Sequence, residues 1–360
     1  MTAPVQRRIG IGLGNLKQFT DGIGEFTRNL CTELATRAPA LQQTQGIRLA
    51  FHLQDSLVGC FGDEVDYLPR QRLHEVWHRQ PQRFDVWHTL MQLNRYKPPA
   101  GTRFRILTLH DLNFVYFKSR PSQWRNRIRL ARLFARTDHL AAISRHALSD
   151  AQRLMGWAGP SSVIYNGVRD LSTHEQVPLP GVQPGHFLLH LSRMARSKNV
   201  ESLLAMAALW PEMPLVLAGP DRTRNASLRE QIAARGLSQV QVFDDVSDAQ
   251  KAWVYAHCTA FLFPSLTEGF GLPPLEAMHF GKPVFISNLT SLPEVCGDAA
   301  TAWPDFDPAH MRRLVEQGLL RHEHEQRAEA VRAHALRFNW ARAADEYLAL
   351  YARAWGTGAG

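Results

Sequence analysis

Short apolar runs alternate with amphipathic stretches along the whole chain, and this alternation narrows the choice of fold more than any other feature of the sequence. It is the pattern of βα units wound around parallel sheets, whose strands are covered on both faces. In the first half the runs at 8–13, 48–53, 85–88, 104–109, 140–143 and 162–165 predict strands. In the second half strands are predicted at 187–191, 215–218, 240–243, 260–263 and 283–286, with helices at 200–209, 226–234, 248–256 and 274–280. Residues 171–185 read LSTHEQVPLPGVQPG, with three prolines, two glycines and little periodicity, which predicts a linker. The 360 residues therefore divide into an α/β doubly wound domain at 1–172 and a second at 185–337. A helical pattern over 339–354, with Trp340, Tyr347 and Tyr351 on it, predicts a C-terminal helix within 338–360 that packs back on the first domain.

Charge separates the halves. The net +8 arises because residues 1–170 carry 24 Lys and Arg against 13 Asp and Glu, while the remainder is slightly acidic. Basic residues are densest near 120–136, where Arg125, Arg129 and Arg132 recur at three- and four-residue steps and so share one helix face. Such a face suits anionic lipid or a phosphate-bearing acceptor. No nucleic-acid motif accompanies it, so nucleic acid is not expected as a partner. The longest stretches free of charged residues, 176–192 and 252–267, are too short and too polar to span a bilayer, and no signal peptide is read at the amino terminus. The expected location is cytoplasmic, peripheral on the inner face of the membrane. Cys31, Cys60, Cys258 and Cys296 lie far apart and read as structural thiols.

The segment from Phe263 to Met278, FPSLTEGFGLPPLEAM, carries the most chemistry. A strand ends, a turn containing Gly269, Phe270 and Gly271 follows, and a helix opens near Leu272. A helix start offers unpaired backbone N–H groups and the positive end of a dipole, which suits a phosphate or pyrophosphate. Glu268 before the turn and Glu276 inside the helix can each accept hydrogen bonds from sugar hydroxyls. Arg193 and Lys198 follow the first strand of the second domain, at the carboxyl edge where parallel sheets bind ligands. A guanidinium fork and a compact ammonium together can neutralise a leaving diphosphate without a metal. Near the amino terminus Gly22 and Gly24 open a helix capped by Asp21, where backbone amides can approach a ligand closely. His110 follows an apolar strand and is read as a hydrogen-bond donor or proton shuttle.

One H-E-x-x-H match occurs, from His74 to His78. On a helix it would put both imidazoles on one face, but a zinc protease needs a third ligand and no extension supplies it. The match reads as a chance occurrence on a surface helix, and neither a metal nor any other cofactor is expected. No G-x-S-x-G elbow supports a serine hydrolase.

The combination of GIGEFTRN, LHDL, AAISRHA, IYNGV, LSRMARSKN, VLAGP and EGFGLPPLEAMHFGKPV resembles the family-4 retaining glycosyltransferases of the GT-B fold, over nearly the whole chain. The resemblance implies two Rossmann-like domains facing a central cleft, with a nucleotide-sugar donor held mainly by the second and a glycan or lipid-linked acceptor by the first. It implies that Arg193 and Lys198 bind the diphosphate, Glu268 the transferred sugar and Glu276 the ribose. The amides of Gly269, Phe270, Gly271 and Leu272 would lie near sugar and phosphate, Gly22 and Gly24 would face the diphosphate, and His110 would lie beside the reacting sugar. The implied reaction is metal-independent hexosyl transfer with retention, in cell-surface polysaccharide or lipopolysaccharide assembly. The LHDL stretch favours mannose from GDP-mannose over UDP-hexoses. An epimerase or hydrolase acting on nucleotide sugars, and a non-catalytic nucleotide-sugar-binding protein, are the competing expectations. Two departures stand out: VFDDV supplies Asp244 and Asp245 where many relatives have a glycine, and Glu25 stands where relatives are often basic.

Overall fold

The computed structural model describes residues 6–19, 21–117 and 119–356. The chain forms two compact units, one running through Gly167 and resuming at Asn339, the other spanning Val168–Phe338. In the first unit β1 (Arg7–Gly12), β2 (Ile47–Leu53), β3 (Asp66–Pro69), β4 (Val86–Thr89), β5 (Phe104–Leu109), β6 (His139–Ala142) and β7 (Ser161–Val163) pair in the order β3-β2-β1-β4-β5-β6-β7. Every pairing is parallel. In the second unit β8 (Leu188–Leu191), β9 (Leu215–Gly219), β10 (Val240–Asp244), β11 (Ala260–Phe263), β12 (Val284–Ser287) and β13 (Thr301–Trp303) pair in the order β10-β9-β8-β11-β12-β13, again all parallel. Each unit is thus the Rossmann-like, doubly wound domain inferred from the sequence. Each has a switch point, between β1 and β4 and between β8 and β11, where strand order reverses and loops part to admit a ligand.

The differences from the sequence reading have physical reasons. The strands β3 and β13 are edge strands of four and three residues. The first begins with Asp and ends with Pro, residue types that strands otherwise avoid. The proline-rich 171–185 stretch is not the junction. Leu171 and Leu179 are buried, the Val177 N–H donates to the Ala249 carbonyl and the Gly185 N–H to that of His257, so this stretch runs over the surface of the second unit. The chain crosses between units at 167/168 and again at 338/339. Cys60 is exposed, whereas the other three thiols are buried.

In the first unit Trp87 of β4 is buried against Gly10 in β1, where a Cβ would come within 2.2 Å of the indole. The helix Trp340–Gly356 also belongs to this unit and is tied down by buried polar groups. His88 bonds the Tyr351 hydroxyl through Nδ1 and the Thr108 hydroxyl through Nε2, each at 2.7 Å, and Thr108 meets the Tyr347 hydroxyl at 3.2 Å. The His74–His78 segment is not a surface helix: Arg72–Glu75 is a 3-10 turn, and both imidazoles point inward and are buried.

Candidate functional site

The switch point of the second unit brings together the loop after β8, which carries Arg193 and Lys198, and the loop after β11, which carries Glu268. Lys198 Nζ donates to Glu268 Oε1, and the two side chains are each 13% exposed. Ser265 Oγ donates to the same carboxylate oxygen at 2.7 Å. The loops are also stitched through their backbones, since the Leu266 N–H reaches the Ser197 carbonyl at 2.7 Å. The Lys198 ammonium lies 5.2 Å from the centre of the Phe263 ring, an apolar wall that limits its hydration. Arg193 is exposed at the head of its loop.

Two further side chains hold the glutamate's backbone. The Glu268 N–H donates to Thr290 Oγ1, and Ser291 Oγ reaches both the Glu268 and Phe270 carbonyls, all at 3.0 Å. Thr290 has φ +56°, and Met194 and Asn199 in the loop after β8 have φ +48° and +53°. Non-glycine residues rarely adopt this left-handed region, and such strain gathers where a ligand site dictates the backbone.

Beyond the turn the helix Leu272–His279 begins. Gly271 is its N-cap with φ +109°, and a Cβ there would meet Leu292 Cδ2 at 2.6 Å, so both conformation and space demand glycine. Pro273 and Pro274 have no N–H, which leaves Gly271 and Leu272 as the amides at the helix mouth; Leu272 is half-buried and Gly269 and Phe270 are buried. Glu276 is buried on this helix and accepts from the Tyr255 hydroxyl at 2.7 Å. Burial pushes its carboxyl up, against the opposing pull of that hydroxyl and of Lys251 and Arg169. Just past β10, Asp245 has φ +48°, a left-handed conformation that aspartate tolerates better than most non-glycine residues. Asp244 beside it accepts from Asn225 Nδ2 at 2.5 Å and Arg229 at 2.8 Å, which lowers its pKa.

In the first unit, His110 lies just past β5 near the switch point and is buried. Its Nε2 lies 2.8 Å from the Leu90 carbonyl, which can only accept, so Nε2 carries the proton and Nδ1 the lone pair. The donor role read from sequence is therefore taken up by the backbone, and the ring is an acceptor toward anything else. Burial pulls its pKa down to about 4. Gly24 has its own steric reason, since a Cβ would come within 2.7 Å of the Phe19 backbone, whereas Gly22 has open space. Arg125, Arg129 and Arg132 are exposed on the helix Arg120–Phe134, whose buried side carries Leu130 and Phe134, and Trp124 stands 68% exposed beside them.

Lys198, Glu268 and Glu276 are expected from the sequence because each sits where an apolar run gives way to glycine or a helix start, and the structure brings the first two into contact. Sequence reasoning missed Ser265, Thr290, Ser291 and Tyr255. Ser265 stands within the same motif, three residues before Glu268, but the other three come from separate elements and carry no local signal.

Residues 179–331 match the family described as Glycosyl transferases group 1. The serotype-specific mannosyltransferase WbdA of Escherichia coli is 36% identical over 173 residues, 45% of this chain and 21% of that protein. The O-antigen chain mannosyltransferase RfbU of Salmonella typhimurium is 26% identical over 203 residues, 55% of this chain and 56% of that protein. The chain thus spans about a fifth of the length of the WbdA relative it matches. Among solved structures, sucrose-phosphate synthase from Thermosynechococcus elongatus superposes with a TM-score of 0.75 at 17% identity, covering 98% of this chain and all of that one. Anabaena HepE, solved in complex with UDP and glucose, gives 0.69 at 17% identity, covering 96% and 100%. These likenesses are of fold.

Proposed function

With residues 179–331 a group 1 glycosyl transferase domain, we propose that the chain is a retaining hexosyltransferase that moves mannose from GDP-mannose to a glycan or lipid-linked acceptor of a cell-surface polysaccharide. The observation that carries this reading is the Lys198–Glu268–Ser265 cluster at the switch point of the second unit, beside the Gly271 helix mouth. A positive side chain, two backbone amides and a carboxylate in one place suit a diphosphate and the sugar attached to it. The mannosyltransferases among the relatives support the choice of sugar.

In this mechanism Lys198 and Arg193 take the diphosphate as charge develops on it, so the leaving group is stabilised without a metal. Lys198 exchanges its bond to Glu268 for one to a phosphate oxygen, and Glu268 turns to the sugar hydroxyls, still held by Ser265. Glu276 accepts from the ribose hydroxyls, with Tyr255 fixing the carboxylate's rotation. A donor phosphate oxygen draws the proton from the attacking hydroxyl on the face the leaving group departs from, which preserves the anomeric configuration.

The test is a thermal shift of the full chain against GDP- and UDP-sugars, followed by transfer to a lipid-linked acceptor. At a hundredfold excess over Kd the correct donor adds about 2.7 kcal/mol, which is roughly 5–10 °C for a unit of this size. No shift with any nucleotide sugar would sink the reading, and donor turnover unaffected by acceptor would move it to a hydrolase.

Among the described residues no helix is long and apolar enough to cross a membrane. We propose that the Arg125, Arg129 and Arg132 face, with Trp124, holds the protein to anionic lipid. Each surface arginine is worth about 1 kcal/mol there, so the triple change to Gln should weaken binding to phosphatidylglycerol vesicles on the order of a hundredfold. Unchanged vesicle sedimentation would refute this role.

A further inference from the structure

The structure supplies the third histidine that the H-E-x-x-H match lacks in sequence. His52 is the penultimate residue of β2 and is buried, as are His74 and His78. One ring nitrogen from each of the three lies within 4.8 Å of the other two. His52 Nε2 and His74 Nδ1 are 3.0 Å apart, and the His74 and His78 rings stack with centroids 4.0 Å apart and planes 19° apart. Trp87 and Tyr96 wall the cluster, with ring centroids 5.7 and 5.6 Å from that of His52.

We propose that His52, His74 and His78 bind a divalent transition metal, Zn²⁺ foremost, through three imidazole nitrogens, leaving the fourth tetrahedral position to water. Three nitrogens on a tetrahedral ion at about 2.05 Å stand roughly 3.3 Å from one another. The observed separations, from 3.0 Å for one pair to no more than 4.8 Å for any, bracket that figure, and on binding the stacked His74 and His78 rings turn out of their stack so that both in-plane lone pairs meet the ion. An all-imidazole set selects zinc, cobalt, nickel or copper over magnesium and calcium, which require oxygen ligands.

The surrounding hydrogen bonds already resemble the outer shell of such a site. The Lys97 carbonyl can only accept, so His78 Nδ1 carries the proton toward it at 2.7 Å and Nε2 keeps its lone pair. A backbone carbonyl on the far nitrogen is the usual device for orienting a metal-bound imidazole. Two donors now use lone pairs the metal would take: the Gln71 N–H at 3.2 Å from His74 Nδ1 and the Gln80 amide at 3.0 Å from His78 Nε2. The Gln80 side chain is half-buried and can turn to water, whereas the Gln71 N–H is main-chain and yields its bond only as the Arg72–Glu75 turn adjusts. His52 donates Nε2–H to His74 at present; on binding, its proton moves to Nδ1 and the ring stays neutral. Bound there, the ion would tie β2 to the turn after β3 and stabilise the first unit; no step of sugar transfer passes through it.

The experiment uses the full chain without an affinity tag, stripped with chelator and then dialysed against ZnCl₂ or CoCl₂ with no sugar nucleotide present. The wild type should retain about one zinc per chain, gain thermal stability with zinc alone, and show with cobalt the intense visible bands of a tetrahedral site. His52→Gln and His78→Gln should each weaken binding at least roughly tenfold, the scale seen even when only a group that orients a ligand is changed. His324→Gln, exposed on the helix Pro308–His324, should bind as wild type does. Folded wild type that retains no zinc would mean a hydrogen-bonded histidine cluster only, and so would binding that survives both ligand changes. The wild-type titration decides the matter even where a variant does not fold, and it is independent of whether the chain transfers sugar.

Discussion

Glu268→Gln should lower the turnover number for sugar transfer by about two orders of magnitude, equivalent to about 3 kcal/mol on the barrier, while the KM for donor changes only a few-fold. Glutamine keeps the shape and can still accept from Ser265, so the substitution isolates charge. The carboxylate's value lies in the transition state, where the departing sugar becomes cation-like and its hydroxyls become stronger donors. Lys198→Ala should act differently. It removes the ammonium that, on the proposed reading, meets the diphosphate, and it leaves Glu268 with its charge uncompensated at 13% exposure. Both kcat and KM should suffer, and stability should fall because a largely buried carboxylate without its partner is costly. Steady-state kinetics with urea unfolding of each variant separates these outcomes. Glu268→Gln turnover within threefold of wild type would remove the glutamate from the chemistry.

Acid should unfold the protein well before its carboxylates titrate. His88, His110 and His190 are buried, and burial pulls them down to about 3, 4 and 4. In the unfolded chain each returns to about 6.5. Below that pH the unfolded state binds protons that the folded state refuses, so stability is complete above pH 6.5 and is lost as pH falls toward 4. At pH 5 each histidine costs about 2 kcal/mol. Through His88 and His110 alone the first unit loses about 4 kcal/mol, a large share of an ordinary domain's stability. The second, with His190, loses about half as much. Urea titrations at pH 7.5 and pH 5 should show the midpoint dropping sharply, with the first unit unfolding ahead of the second. Equal midpoints at the two pH values would show that these rings accept protons in the folded state. The effect reaches the site as well, because His190 Nε2 lies 2.8 Å from Ser192 Oγ, which accepts from the Met194 N–H at the head of the Lys198 loop.

The βα alternation was legible because strands buried on both faces must be written as apolar runs, and β5 and β11 begin and end at the residues expected. The edge strands β3 and β13 were not, since a half-exposed strand needs neither length nor a continuous apolar run. The candidate site was readable where it is local: Glu268, Gly271 and Glu276 lie within one strand–turn–helix passage. What holds Glu268 in place was not, because Thr290 and Ser291 follow a different strand and only the fold joins them to it. His52 was invisible for the same reason, being 22 residues from His74 in sequence yet in hydrogen-bond contact with it. The linker was misread because proline and glycine signal irregular backbone, and irregular backbone can lie packed on a surface, as Leu171 and Leu179 show.

The first unit is written in two pieces, with all of the second unit between them. A ribosome delivers the complete Val168–Phe338 segment before it delivers Tyr347 and Tyr351, the partners of Thr108 and His88. The second unit can therefore finish folding during synthesis, while the seven-stranded half waits with a polar pair uncovered in its interior until the last helix emerges. Chain order makes the Val168–Phe338 half the earlier of the two to mature.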